Sequence, residues 1–189
     1  YNAIVWQDRR TTDICSNYRD HESMIQSKTG LVLDPYFSAT KIRWILDNVK
    51  DAQLRAEAGQ LCFGTVDSFL MFHLSKGMIH KTDFTNASRT MLFNINNLDW
   101  DEDLLKLFNI PRKLLPSVHK CDHEFGTAPL LNNITINGVL GDQQSAMFGQ
   151  GCLSVGSSKS TYGTGCFLMC NIGETVKISQ DGLLTTVAF

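Results

Sequence analysis

The chain has 189 residues, 43% of them hydrophobic and 19% charged, with a formal net charge of −2. That length and apolar share supply a packed core and exclude a disordered or low-complexity chain. The near-neutral balance, with no basic run, argues against nucleic acid as the main partner, and no stretch has membrane-spanning length or a signal-peptide pattern.

Tyr1-Asn-Ala-Ile-Val-Trp-Gln is strand-like from its first residues and has no initiator methionine, and the last run, Leu183 to Phe189, is apolar. The expectation is an interior piece of a longer protein. Ala3–Trp6 reads as a short strand, and a helical pattern runs from Asp8 to about Ser27 before the punctuation of Thr29-Gly30 and Asp34-Pro35. Within residues 36–48 and just beyond, Ile42, Ile45, Leu46 and Val49 recur at helical spacing, and Ala52–Ala58 is a second short helix ended by Gly59. Leu61–Gly64 reads as a strand, and Thr65 as the cap of a helix over 66–74 that closes at Gly77. Thr82–Thr90 reads as a polar loop, Met91–Ile95 as a strand, and a helix starts near Asp101; a single helical turn lies between Pro111 and Pro116. Ile134–Gly141 reads as a strand ending on Asp142, followed by a short helix through Gln150.

From Lys159 the β-prone segments 160–162, 166–170, 176–178 and 183–189 alternate with glycine turns, the pattern of an antiparallel meander. The change of texture places a domain boundary near Gln150, separating a mixed α/β block, 1–150, from the start of a new sheet, 151–189. The six cysteines, at 15, 62, 121, 152, 166 and 170, include no Cys-x-x-Cys pair. A chain this long and apolar needs no staples, so they read as reduced, mostly buried thiols of a cytoplasmic compartment.

The stretch from Gly141 to Phe167 holds the candidate chemistry. A carboxylate at the tip of a strand, Asp142, faces the crevice where open α/β sheets bind ligands; it serves either as helix N-cap or as general base. Gln143 beside it can hydrogen-bond a polyol or simply begin the helix. In Tyr162-Gly-Thr-Gly-Cys-Phe167, glycines let backbone N–H groups approach an anion and threonine adds a hydroxyl donor, although a plain hairpin turn fits equally. His119, Cys121, Asp122 and His123 lack a second ligand pair at zinc-site spacing and read as a solvated surface segment, so no metal site is expected. Arg89 reads as a buried arginine tying loops together. No Gly-x-Ser-x-Gly elbow supports a hydrolase.

Tyr36-Phe-Ser-Ala-Thr-Lys-Ile-Arg-Trp-Ile-Leu-Asp-Asn48 resembles, position by position, the first signature of the FGGY carbohydrate kinases. Together with Tyr1-Asn-Ala-Ile-Val-Trp-Gln, Phe63-Gly-Thr-Val-Asp-Ser, Thr85-Asn-Ala-Ser-Arg-Thr-Met-Leu-Phe-Asn-Ile95, Gly141-Asp-Gln-Gln and Thr161-Tyr-Gly-Thr-Gly-Cys-Phe167, it is similar to the branch that phosphorylates glycerol. The resemblance implies an α/β, actin-like (ribonuclease H-like) ATPase fold, present in part: 1–150 as the later part of the substrate domain, 151–189 as the opening of the nucleotide domain.

It also implies ATP-dependent conversion of glycerol to sn-glycerol 3-phosphate with Mg²⁺ on the nucleotide, and a homo-oligomer, dimer or tetramer, when full length. Asp142 would be the base, Tyr36 and Gln143 would hydrogen-bond glycerol, Trp6 and Phe167 would wall its carbons, and Thr164 with Gly165 would contact the nucleotide phosphates. The family's Asp-x-Gly-Thr-Thr phosphate loop, its Arg-Glu glycerol grip and its adenine-binding glycines have no counterpart in these 189 residues, so this segment alone is expected to be inactive and to fold poorly. Another polyol or a ketose as substrate, or a non-catalytic scaffold that keeps the fold, are the alternatives.

Bacterial members of the family carry a Gly-x-Arg segment before the catalytic aspartate that binds fructose 1,6-bisphosphate, whereas Ala128-Pro-Leu-Leu-Asn-Asn-Ile-Thr has no arginine. The full-length protein is therefore expected to keep its activity through a fructose 1,6-bisphosphate titration. A dose-dependent loss would overturn this.

Overall fold

The computed structural model describes residues 1–179 and 181–189. Helices α1 (Thr12–Asn17), α2 (Glu22–Thr29), α3 (Ser38–Asn48), α4 (Ala52–Glu57) and α5 (Val66–Leu74) precede strand β1 (Lys81–Asp83). Then come α6 (Phe84–Ala87), β2 (Phe93–Asn94), β3 (Asp99–Trp100), α7 (Glu102–Leu107), β4 (Ser117–His119), β5 (Gly126–Ala128), β6 (Ile134–Ile136), α8 (Asp142–Gly149), β7 (Ser158–Tyr162) and β8 (Cys166–Cys170). β1 and β4 pair in parallel, while β2–β3, β5–β6 and β7–β8 are antiparallel pairs.

One apolar cluster holds the first block together. α3 turns Ile42 and Leu46 inward at the spacing of one helical face, and they meet Leu92, Phe93, Leu104 and Phe108 in a buried core. Trp100 stands edge-on to Phe93, ring centroids 6.0 Å apart, and its indole N–H donates to the Pro116 carbonyl at 2.8 Å. That bond satisfies the single polar atom such a buried ring carries.

Asp101 joins three elements. Its carboxylate caps α7 by accepting from the N–H groups of Asp103 and Leu104, each at 3.1 Å. It also accepts from Lys28 Nζ of α2 at 2.8 Å and from Asn94 Nδ2 of β2 at 2.8 Å.

α3, α4, α5, α7 and α8 fall close to where periodicity places them, the helical run expected to about Ser27 divides into α1 and α2 and ends at Thr29, and several expected strands are absent. Ala3–Trp6 and Leu61–Gly64 form no strand, since no neighbouring strand among the described residues offers a ladder; Phe63 makes one backbone bond, to the Leu114 carbonyl at 2.7 Å. The run expected over Met91–Ile95 pairs only at Phe93–Asn94, and that over Ile134–Gly141 only at Ile134–Ile136. Thr65 does not cap α5 with its side chain; its hydroxyl donates to Asp67 instead. Thr82–Thr90 is not a loop, because the Asp83 carboxylate starts a short helix.

The four-segment meander reduces to the β7–β8 hairpin. Val176–Ile178 and Leu183–Phe189 are not strands, and the latter run back along the first block. There the Thr185 N–H donates to the Gly30 carbonyl at 2.9 Å, Ser88 and Thr186 share a hydroxyl bond of 2.7 Å, and the Phe148 and Phe189 rings meet at 5.1 Å. Gly30 is needed twice over. It ends α2 in the left-handed region at φ +71°, and a Cβ there would stand 2.3 Å from the Thr185 carbonyl oxygen.

All six cysteines are free, yet only Cys15 and Cys152 are buried; Cys62, Cys166 and Cys170 are exposed, so the expectation of mostly buried thiols fails. No helix among the described residues is long and apolar enough to cross a membrane.

Burial opposes the charge on Asp101, but Lys28, Asn94 and the Leu104 N–H outweigh it and hold the carboxyl below its ordinary 3.8. A carboxyl depressed in the folded state contributes stability that is complete above the unfolded-state value and is lost as pH falls through the folded one. Urea midpoints of the full-length protein are expected to drop below about pH 4. Asp101→Asn should flatten that drop and lower stability at neutral pH by roughly 1–3 kcal/mol.

Candidate active site

Asp83 lies at the end of β1 and is fully buried. Its Oδ2 accepts from the Thr85 N–H at 2.8 Å and the Thr85 hydroxyl at 2.6 Å; Oδ1 accepts from the Asn86 N–H at 3.0 Å and Asn86 Nδ2 at 2.7 Å. With its proton committed to Asp83, the Thr85 oxygen has only acceptor capacity left, and the Gly141 N–H donates to it at 2.7 Å. A core carboxylate thus fixes, through one hydroxyl, the backbone just before Asp142. A Cβ at Gly141 would stand 2.6 Å from Gln144 Oε1, so the Gln144 side chain would have to move. Gln144 is itself buried and donates to the Val187 carbonyl at 3.1 Å.

Asp142 is the first residue of α8, not its N-cap; Gly141 occupies the cap position. The N-cap reading is therefore corrected by one residue, because the anchored amide of Gly141 sets where the helix begins. Asp142 is exposed on a helix start, where negative charge is favoured, and it lines an open cleft of 2610 Å³. Trp6, Tyr36, Arg89, Gln143 and Phe167 line the same cleft. A volume beyond the usual range for one small ligand means that a substrate would occupy one corner of it.

Trp6 and Tyr36 meet with ring centroids 5.5 Å apart. The buried Lys41 brings them together, since its Nζ donates to the Val5 carbonyl at 2.8 Å and to the Tyr36 carbonyl at 3.1 Å. Burial pushes the Lys41 ammonium below its ordinary value, against the opposing charges of Asp8 and Asp34.

Arg89 lies over the Phe37 ring, 5.3 Å from its centroid. Burial pulls its guanidinium below the usual value, while the Tyr36 hydroxyl and the Asp142 charge act the other way. Arg89 is half-buried, not buried as expected, and it belongs to the cleft wall.

Gln143 is held at both ends. Its Nε2 donates to Asp142 Oδ2 at 3.1 Å, and its Oε1 accepts from Lys159 Nζ on β7. Thr164 and Gly165 sit in the turn between β7 and β8, outside the cleft lining, with Thr164 exposed and Gly165 half-buried.

No group of three His, Cys, Asp or Glu side chains converges on a metal position among the described residues. His119 and His123, expected in a solvated segment, are half-buried and stacked with centroids 4.0 Å apart, edge-on to Phe125.

Sequence reasoning missed Lys41, Asp83, Thr85 and Lys159. Of these, only the Asp-x-Thr-Asn run at 83–86 carries a local signal, that of an Asx-type cap. Thr85→Val would leave the Gly141 N–H buried without an acceptor and is expected to cost about 1–3 kcal/mol in denaturant unfolding of the full-length protein. Thr85→Ser keeps both bonds and should cost less than half as much; equal losses would overturn the assignment.

Residues 1–149 match the model of the N-terminal domain of the FGGY family of carbohydrate kinases. Over 193 residues the chain is 56% identical to the glycerol kinase of Paracidovorax citrulli, covering 100% of this chain and 38% of that protein. With glycerol kinase 1 of Pseudomonas aeruginosa the identity is 57% over 192 residues, 99% of this chain and 39% of that protein. The crystal structure of Plasmodium falciparum glycerol kinase with ADP superposes with a TM-score of 0.94 at 42% identity, covering 99% of this chain and 38% of that one. A xylulose kinase from Rhodospirillum rubrum, 16% identical, shares the fold with a TM-score of 0.72. The chain spans about 38% of the length of the curated relatives it matches. The expected α/β, actin-like fold is present as the corresponding part of these kinases. With a family model matched along residues 1–149 and near-complete superposition on a solved relative, the chain belongs to the FGGY family of carbohydrate kinases.

Proposed function

We propose that the full-length protein carrying this segment transfers the γ-phosphoryl group of ATP to glycerol, giving sn-glycerol 3-phosphate and ADP. The observation that carries the reading is the placement of Asp142: exposed, on backbone anchored to the core, hydrogen-bonded by Gln143, and lining one cleft with Trp6, Tyr36 and Phe167. The names of relatives that are 56–57% identical point to the same substrate. Residues 1–150 would be the later part of the substrate domain and 151–189 the start of the nucleotide domain, in keeping with the family match over 1–149.

In this reading Asp142 accepts the proton of the attacking hydroxyl as that oxygen bonds to the γ-phosphorus and the bond to the departing ADP oxygen breaks. Its Oδ2 is already engaged by Gln143, and Oδ1 takes no hydrogen bond among the described residues, which leaves it for the substrate proton. Tyr36 and Gln143 would bind the remaining hydroxyls, and Trp6 and Phe167 would cover the carbons. Phosphoryl transfer needs chiefly alignment and charge stabilisation, so a rigidly held base and a shaped wall are the protein's main contributions.

Thr164, exposed in the hairpin turn beside Gly165, fits a contact to the nucleotide phosphates. With no metal cage among the described residues, Mg²⁺ would arrive on those phosphates, neutralising their charge, as this ion commonly binds. A cytoplasmic homo-oligomer, dimer or tetramer, completes the proposal.

The test is a substrate panel on the full-length protein with coupled ADP detection. Glycerol should exceed other polyols and ketoses in kcat/KM; a ketose preferred over glycerol, or no turnover at all, would overturn the reading. Asp142→Asn should lower kcat by roughly 10²–10⁴-fold with the fold retained. Activity within a few-fold of the parent would remove Asp142 from the role of base.

A further inference from the structure

Lys159 is 3% exposed, so its ammonium is almost wholly withdrawn from water. Among the described residues it forms no salt bridge; its Nζ donates to Gln143 Oε1 and, at 2.7 Å, to Thr161 Oγ1. An ammonium buried against neutral acceptors is costly, and an apolar side chain would fill the same space without that cost. What the ammonium does to its neighbours therefore calls for an explanation.

A primary amide is nearly symmetric in shape but opposite in polarity at its two ends. On one side of Gln143 stands Lys159, which has only donors; on the other stands the Asp142 carboxylate, which has only acceptors. One orientation satisfies both. The reverse would press the amide NH₂ against the ammonium and its oxygen against the carboxylate. We propose that Lys159 is a positioning residue: by holding the Gln143 oxygen, it commits the amide N–H groups to Asp142 and to the substrate hydroxyls beside it.

The link also crosses from α8 to β7, so the amide is set by a residue of the hairpin and not by its own helix. This rests on the glycerol reading of the site and deepens it, because it says what makes Gln143 a donor there.

The test is steady-state kinetics of the full-length protein with glycerol and ATP varied separately. Lys159→Met frees the amide to turn over and is expected to lower kcat/KM for glycerol about tenfold, the worth of one oriented hydrogen bond, chiefly through KM. KM for ATP should stay within about twofold, and Lys159→Arg, which still donates to the amide oxygen, should recover most of the loss. In a Gln143→Ala background Lys159→Met should cost less than about twofold, since no amide remains to orient.

The same loss in both backgrounds, or a larger rise in KM for ATP than for glycerol, would overturn the proposal by giving Lys159 a role independent of Gln143. If the methionine variant does not fold, Gln143→Glu decides. It keeps an acceptor for Lys159 and removes the donor to Asp142, so it should keep a parent-like melting temperature and lose about tenfold or more in glycerol kcat/KM. Unchanged kcat/KM would overturn the proposal. A parent protein that turns over no glycerol removes the functional reading and this inference with it, whereas an active parent unaffected by Lys159→Met removes this inference alone.

Discussion

Asp83 is a carboxylate with no access to water, and a charge in that position must collect hydrogen-bond donors from nearby chain. It collects four, from Thr85 and Asn86, and in doing so starts α6 and orients one hydroxyl. The free side of that hydroxyl then holds the amide of Gly141. The position of α8, and with it the reach of Asp142 into the cleft, depends on this chain of donors and acceptors more than on anything within α8 itself. The helix has no side-chain cap of its own and turns only Gln144 and Met147 into buried positions.

Three cations hold residues of the cleft wall or their neighbours in the same manner. Lys41 gathers two carbonyls and so brings Trp6 beside Tyr36; Arg89 lies over Phe37 beside Tyr36; Lys159 holds the oxygen of Gln143. Each binds neutral or aromatic groups, and none of the three forms a salt bridge among the described residues. Asp142 is exposed beside Gln143, whose amide Lys159 holds from the other side.

Helices were legible in the sequence because their signals are local. Ile42, Leu46 and their neighbours fix α3 by spacing, and Asp101 announces α7 by its cap. Strands were less legible because a strand exists only through its partner. Ala3–Trp6, Leu61–Gly64 and Leu183–Phe189 have strand composition and no strand partner among the described residues, so they are not strands here.

At the site, Asp142, Gln143, Tyr36, Trp6 and Phe167 were named from motifs, and they do line one cleft. Lys41, Thr85 and Lys159 were not named, because burial of a lysine or the second bond of a threonine depends on partners such as Val5, Gly141 and Gln143 that are remote in sequence. Nothing within a few residues of Lys159 distinguishes it from a solvated lysine.

The return of Leu183–Phe189 and the residues before it to the first helices joins parts of the chain that are remote from one another; the bond from Gln26 to the Ser179 carbonyl spans 153 positions. Closing so long a loop costs entropy before any contact repays it, and such contacts form after the local ones. The glycine that ends α2 therefore ties late chain of this segment to early chain, and its missing side chain leaves the notch that the Thr185 carbonyl fills. A side chain at Gly30 would thus act at a distance in sequence, loosening the hold of Ser179 and residues 181–189 on the first helices while leaving the core around α3 and α7 untouched.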